Sequence, residues 1–221
     1  MKQGVFVTGT DTGIGKTTVC AALLHRYRPA RIGYWKPVQT GAPEDDDTRD
    51  VSILGECAKP EIHPTGIRLP RPLSPHLSAR LCGETIRLES ILEEAERADP
   101  ARSWIVEGAG GLLVPLNDAD LIVDLIGRLG LPALIVARSQ LGTINHTLLT
   151  IEALRHRRIA IAGAVMVGES NLENRRAIED YGGVSVIGEM PRFPSLTAAV
   201  LRQWAQSELD RASHLAAVLG D

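Results

Sequence analysis

With 221 residues, 24 lysines and arginines against 27 aspartates and glutamates, and a pI near 6.1, the chain carries a formal net charge of -3. That balance gives no electrostatic footprint for gripping a polyanion, so nucleic acid is excluded as a partner. With 44% hydrophobic residues and no apolar run long enough to span a bilayer, the composition predicts one soluble domain over residues 1–221, with no membrane association.

Cys20, Cys57 and Cys82 are odd in number, far apart and outside any Cys-x-x-Cys pair, which fits a reducing compartment. The N-terminus enters Val5-Phe6-Val7 without the basic and apolar regions of an export signal, so the expected location is the cytoplasm.

In chain order, β-branched apolar runs alternate with stretches of helical spacing. Gly4-Val5-Phe6-Val7 predicts a strand, residues 17–27 a helix, and Arg31-Ile32-Gly33-Tyr34-Trp35 a second strand. Residues 40–49 and the proline-rich residues 60–75 read as loops. A helix over 88–98 then precedes the strand Ser103-Trp104-Ile105-Val106, and a helix over 121–129 precedes Ala133-Leu134-Ile135-Val136-Ala137. A helix over 147–157, a strand over 159–167, a helix over 173–181 and the strand Val184-Ser185-Val186-Ile187 follow. From Ser195 onward, Leu196, Val200, Trp204, Leu209 and Leu215 predict a closing helix or helix pair that packs for stability, with a frayed Gly220-Asp221 tail. Repeated βαβ alternation predicts an α/β, doubly wound, mainly parallel sheet covered by helices on both faces.

The first strand runs into Gly9-Thr10-Asp11-Thr12-Gly13-Ile14-Gly15-Lys16-Thr17-Thr18, after which a helix begins. A glycine-rich turn here lets successive N–H groups and the positive helix end face one anion, which suits a polyphosphate. Gly13, Ile14, Gly15, Lys16, Thr17 and Thr18 are therefore the expected nucleotide-binding residues, with Lys16 reaching the β/γ phosphates and Thr17 a magnesium ion. The loop departs from the strict pattern, because Thr10 stands where a glycine is usual and Gly9 comes one position early. Asp11 stands where partition-type ATPases carry a signature lysine, which argues against a switch ATPase.

Lys36-Pro37-Val38-Gln39-Thr40-Gly41 closes the second strand, and Trp104-Ile105-Val106-Glu107-Gly108-Ala109-Gly110-Gly111 closes another. Ligands of open α/β sheets collect at the carboxyl ends of strands, so Lys36 and Glu107 point toward the loop's crevice. A carboxylate buried at a strand end needs a cation, and magnesium beside a triphosphate is the natural one.

With Leu141-Gly142-Thr143-Ile144-Asn145-His146, Ser74-Pro75-His76 and Gly188-Glu189-Met190-Pro191 added to these motifs, the chain resembles the dethiobiotin synthetase family over nearly its whole length. The resemblance implies a mainly parallel sheet of the P-loop NTPase type and a homodimer that uses ATP and Mg2+ to join 7,8-diaminononanoate and CO2, through a carbamate and a carbamic-phosphoric anhydride, giving dethiobiotin, ADP and phosphate. It implies catalytic roles for Lys36 and Lys16, magnesium binding by Thr17, Glu107 and Asp47 with Asp50 in reserve, and a nucleotide site that also includes Gly108, Ala109 and Gly110. Thr12, Thr40 and the segment Leu141, Gly142, Thr143, Ile144 and Asn145 are the implied substrate-binding residues. Asn145 has a plainer reading as a helix cap.

Val167, Gly168, Pro191, Arg192 and Phe193 are the implied base-binding residues. Many members carry asparagine where this chain has Val167, and a valine cannot exchange the hydrogen bonds that distinguish adenine, so weak base preference is expected. A small-molecule kinase is the main enzymatic alternative, with Arg68, Arg71 and Arg80 as candidate lid arginines.

Overall fold

The apolar runs form strands β1 (Gly4–Gly9), β2 (Ile32–Trp35), β3 (Val38–Thr40), β4 (Ile67–Leu69), β5 (Ser103–Gly111), β6 (Ala133–Arg138), β7 (Ile161–Val167) and β8 (Val186–Met190). The structure is a computed structural model and describes Met1 and residues 3–220. Six strands make a parallel sheet in the order β2-β5-β1-β6-β7-β8, so all their carboxyl ends lie along one edge. The chain leaves β1 toward β2 on one side and later fills β6 to β8 on the other, which puts the reversal of strand order beside β1.

Helices α1 (Lys16–Arg26), α2 (Asp47–Leu54), α3 (Pro75–Leu81), α4 (Leu88–Glu96), α5 (Ile122–Leu129), α6 (Thr143–His156), α7 (Leu172–Gly182), α8 (Ala198–Ser207) and α9 (Ala216–Leu219) cover the sheet. Successive strand residues face opposite sides, and the core divides accordingly. Phe6, Trp104, Val106 and Ile135 pack with Ile91, Ile122, Ile126, Leu154 and Ile178 on one face. Val5, Val7, Tyr34, Ile105 and Val136 pack with Leu23, Val51, Leu201 and Leu219 on the other. The doubly wound reading holds. Among the described residues, no helix is long and apolar enough to cross a membrane.

Differences from the sequence reading fall in short elements and at element ends. Val38–Thr40, read as the close of the second strand, and Ile67–Leu69, read as loop, pair in parallel as a separate two-stranded sheet of β3 and β4, and α2 starts at Asp47 inside the first stretch read as loop. Three-residue strands carry too little pattern to register as periodicity. Helix α6 begins at Thr143, ahead of the expected 147, because Gly142 forms its N-cap at a φ of 91° and Thr143 is already buried. Asn145 therefore lies inside the first turn and is not the cap. Strand β7 begins at Ile161, not 159, and of the expected frayed tail Asp221 lies outside the described residues.

The closing segment is tied down by Asp210, which is fully buried. Its carboxylate accepts hydrogen bonds from the Tyr27 hydroxyl and from the backbone N–H groups of His214 and Leu215. Burial alone would raise the Asp210 pKa, but these donors outweigh it and hold the group below the ordinary aspartate value. Asp210→Asn is expected to lower the unfolding free energy at neutral pH by about 2–3 kcal/mol, because an amide nitrogen then faces donors. A group with a depressed folded pKa contributes fully above about pH 4 and loses its contribution as pH falls through the folded value. The gap between wild type and Asp210→Asn should therefore narrow on acidification, as urea unfolding at neutral and acid pH would reveal.

Candidate functional site

The loop between β1 and α1 turns on Gly15, whose φ of 97° lies in the left-handed region open to glycine. The first intrahelical bond of α1 is donated by Val19 to the Gly15 carbonyl, so the N–H groups of Lys16, Thr17 and Thr18 precede the helix ladder and face the cleft end. These donors and the helix dipole favour an anion. Lys16 is buried, and its ammonium lies 3.0 Å from the Asp11 carbonyl oxygen. Burial and the nearby Lys36 ammonium lower its pKa, against the opposing pull of Glu107 and Asp47. The Asp11 carboxylate pairs with Arg138 at the end of β6 and accepts from the Thr12 N–H, which fastens the loop tip.

Next to the loop, Lys36, Thr17, Asp47 and Glu107 converge from four separate elements. Lys36 follows β2, and its side chain is 4% exposed, with Nζ 2.6 Å from Asp47 Oδ2, 2.8 Å from Glu107 Oε1 and 3.1 Å from the Gly108 carbonyl. The Thr17 hydroxyl lies 2.8 Å from Asp47 Oδ1 and 3.1 Å from Glu107 Oε1. Burial would lower the Lys36 pKa, but Glu107 and Asp47 raise it above the ordinary lysine value. Asp47 responds in the opposite sense: burial would raise its pKa, and Lys36, Thr17 and Lys16 hold it low. Asp50 takes no part in this cluster; its carboxylate is half exposed and pairs with Arg49.

Two carboxylates and a hydroxyl meeting at one point form a hard oxygen set that could hold magnesium, an ion that keeps several of its waters. Among the described residues no group of three or more His, Cys, Asp or Glu side chains is placed to hold a metal ion by itself, so the Thr17 hydroxyl would complete this donor set.

Two clefts share the loop residues Thr12, Gly13 and Gly15. The larger, about 550 Å3, is lined by Lys16, Thr17, Lys36, Thr40, Asp47, Asp50, Glu107, Ala109 and Gly110. The other, about 460 Å3, is lined by Ile14, Thr18, Val167, Pro191, Arg192 and Phe193. Gly108 meets the first through its carbonyl, while Gly168 sits behind the second, where an added Cβ would lie 2.3 Å from the Ser139 hydroxyl.

Leu141, Gly142, Thr143, Ile144 and Asn145 line neither cleft; Leu141 is fully exposed and Thr143 is buried. Ser74 and Pro75 reach the larger cleft, and His76, Arg68, Arg71 and Arg80 do not line it. Arg68 pairs with Asp46 instead. Sequence reading missed the cleft walls Asp45, Leu73 and Val114, which carry no motif, and it missed Tyr34, whose apolar ring disguises it as core.

Residues 3–200 match the protein family described as AAA domain. The chain is 49% identical over 199 residues to the ATP-dependent dethiobiotin synthetase BioD of Paramagnetospirillum magneticum, covering 90% of this chain and 93% of that protein. It is 46% identical over 197 residues to the BioD of Agrobacterium fabrum, covering 89% and 90%. Among solved structures, a ParA family ATPase from Chlorobium tepidum superposes with a TM-score of 0.55 at 12% identity, over 92% of this chain and 97% of that one. The Pyrococcus furiosus cell division ATPase MinD gives 0.54 at 17% identity, over 93% and 98%. These likenesses show the P-loop ATPase fold alone. Sequence identity of this extent, with a phosphate loop and the Lys36 cluster at the carboxyl edge of the sheet, shows that the chain belongs to the dethiobiotin synthetase family.

Proposed function

We propose that this chain is an ATP- and magnesium-dependent ligase that joins CO2 to 7,8-diaminononanoate and closes the ureido ring, giving dethiobiotin, ADP and phosphate. The observation that carries this is the Lys36 ammonium held between Glu107 and Asp47 beside a phosphate-binding loop, in a chain so similar to named dethiobiotin synthetases.

One amine nitrogen bonds to the carbon of CO2 and releases a proton, leaving a carbamate. A carbamate oxygen attacks the γ-phosphorus, the bond to ADP breaks, and a carbamic-phosphoric anhydride forms. The second amine attacks the anhydride carbon, phosphate leaves with the bonding pair, and a further proton is lost as the five-membered ring closes.

Every step moves negative charge through one cleft, so positioning and cationic stabilisation are what the protein must supply. Lys16 and Lys36 flank the carbamate and the γ-phosphate. Thr17, Asp47 and Glu107 would hold Mg2+, which when bound neutralises charge on the terminal phosphates. Thr12 and Thr40 contact the carbamate and diamine, and Gly108 to Gly110 line the phosphate side.

The segment Leu141 to Asn145 serves the site of a second copy in a homodimer. Support comes from its position outside the clefts of its own chain, from fully exposed Leu141, and from exposed Leu113 and Leu149, which line one groove with His146 of the same helix. The N–H groups of Ile144 and Asn145, ahead of the first helical bond donated by His146, suit the carboxylate of the nonanoate. Three free cysteines fit work in a reducing cytoplasm.

The base is held at Val167, Gly168 and Pro191-Arg192-Phe193 through apolar contact and backbone groups. The test is dethiobiotin formation, followed by mass alongside phosphate release, from diaminononanoate, bicarbonate and Mg2+ with ATP, CTP or GTP. Product with all three nucleotides at comparable rates is expected. ATP hydrolysis without dethiobiotin would refute the substrate assignment, and CTP and GTP rates about a thousandfold below that of ATP, near 4 kcal/mol of discrimination, would refute the base reading alone.

A further inference from the structure

We propose that Tyr34 is a positioning residue for Glu107: from behind the cleft, its hydroxyl holds one carboxylate oxygen so that the other is presented to the metal and to Lys36. The proposal rests on the reading of Glu107 as a metal ligand.

Tyr34 is fully buried on β2, where it pairs in register with Ile105 of β5. Ile105 and Glu107 are two apart on one strand and share a face, so the tyrosine ring lies diagonally behind the glutamate. Its O–H donates to Glu107 Oε2 at 2.8 Å. The Thr17 hydroxyl and the Lys36 ammonium both go to the opposite oxygen, Oε1, at 3.1 and 2.8 Å.

Glu107 lines the cleft and Tyr34 does not, so the carboxylate is gripped from the back and offered at the front. The terminal torsion of a glutamate is broad and roughly two-fold, and a hydrogen bond to one oxygen removes that freedom. Phenylalanine would fill the same core volume among Leu23, Val51 and Ile105. What the tyrosine adds is the O–H, and among the described residues its hydrogen bond goes to Glu107 alone.

The test uses the full chain with a non-hydrolysable ATP analogue and Mn2+ as the spectroscopic probe, free Mn2+ being read by electron paramagnetic resonance. Tyr34→Phe is expected to weaken Mn2+ binding by about 10- to 100-fold, the range typical of partners that orient a metal ligand. Its kcat should fall while KM for the diamine stays unchanged. Ile32→Val, in the same core and on the same face of β2, should lower Tm without moving Mn2+ affinity.

Glu107→Gln is measured alongside. If it binds Mn2+ as wild type does, Glu107 is not a ligand, and the site reading falls together with the proposal. If Glu107→Gln loses Mn2+ while Tyr34→Phe keeps wild-type affinity, the site reading stands and the positioning role is overturned. Glu107→Asp gives a second test that does not depend on how Tyr34→Phe folds. It keeps the charge but withdraws it from the phenol, and undiminished Mn2+ binding would equally overturn the proposal.

Discussion

Lys36→Ala is expected to lower kcat for dethiobiotin formation by about 10²- to 10³-fold, the usual cost of deleting one group that stabilises developing charge. ATP binding should survive, because Lys16 and the first-turn N–H groups of α1 are untouched. The same substitution should also destabilise the protein. Glu107 is 1% exposed at its side chain, and Lys36 is its cationic partner, so removing the ammonium leaves a buried carboxylate facing Asp47 uncompensated. Added Mg2+ should then raise the Tm of Lys36→Ala more than that of wild type, since a cation that binds only the folded form stabilises it by mass action. Steady-state turnover, nucleotide titration and thermal melts with and without Mg2+ separate these effects. A Lys36→Ala enzyme with wild-type kcat would remove Lys36 from the chemistry, whatever its effect on Tm.

Legibility in the sequence followed from how local each signal is. The phosphate loop could be read because strand, glycines, lysine and helix start are consecutive, and the structure keeps that order from β1 into α1. Lys36 and Glu107 could be read because parallel strands run toward one edge, although β5 continues past Glu107 to Gly111 where the sequence reading ended the apolar strand at Val106.

The substrate side was less open. On the proposed reading residues 141–145 would act through backbone N–H groups, and a helix capped by Gly142 gives no side-chain cap to mark its start. Strands β3 and β4 are three residues each and are defined by pairing with one another, which no window of sequence contains. Tyr34 was hidden for a different reason. Its ring satisfies the apolar pattern of β2, and only the adjacent strand reveals what the hydroxyl is for. Asp47 was preferred to Asp50 on the family resemblance alone, because each is followed four residues on by an apolar side chain, Val51 or Leu54, and either could open a helix.

Tertiary contact separates those two carboxylates, and the separation can be measured. Asp47 Oδ1 accepts from Thr17 and Oδ2 meets Lys36, whereas Asp50 lies one turn further along α2 and its carboxylate is 51% exposed beside Arg49. Asp47→Asn keeps the shape and removes the charge, so it should reduce kcat by about a hundredfold, as expected when charge stabilisation worth near 3 kcal/mol is lost. Raising Mg2+ should recover part of that rate if Asp47 helps to hold the ion. Asp50→Asn should leave both the rate and its Mg2+ dependence at wild-type values, because an exposed pair between neighbouring residues contributes little. The two variants assayed across a Mg2+ series give opposite answers for the two assignments. A large loss in Asp50→Asn with none in Asp47→Asn would mean that α2 turns during catalysis to bring the second carboxylate forward, and the cluster built on Lys36, Thr17 and Glu107 would then need a different third member.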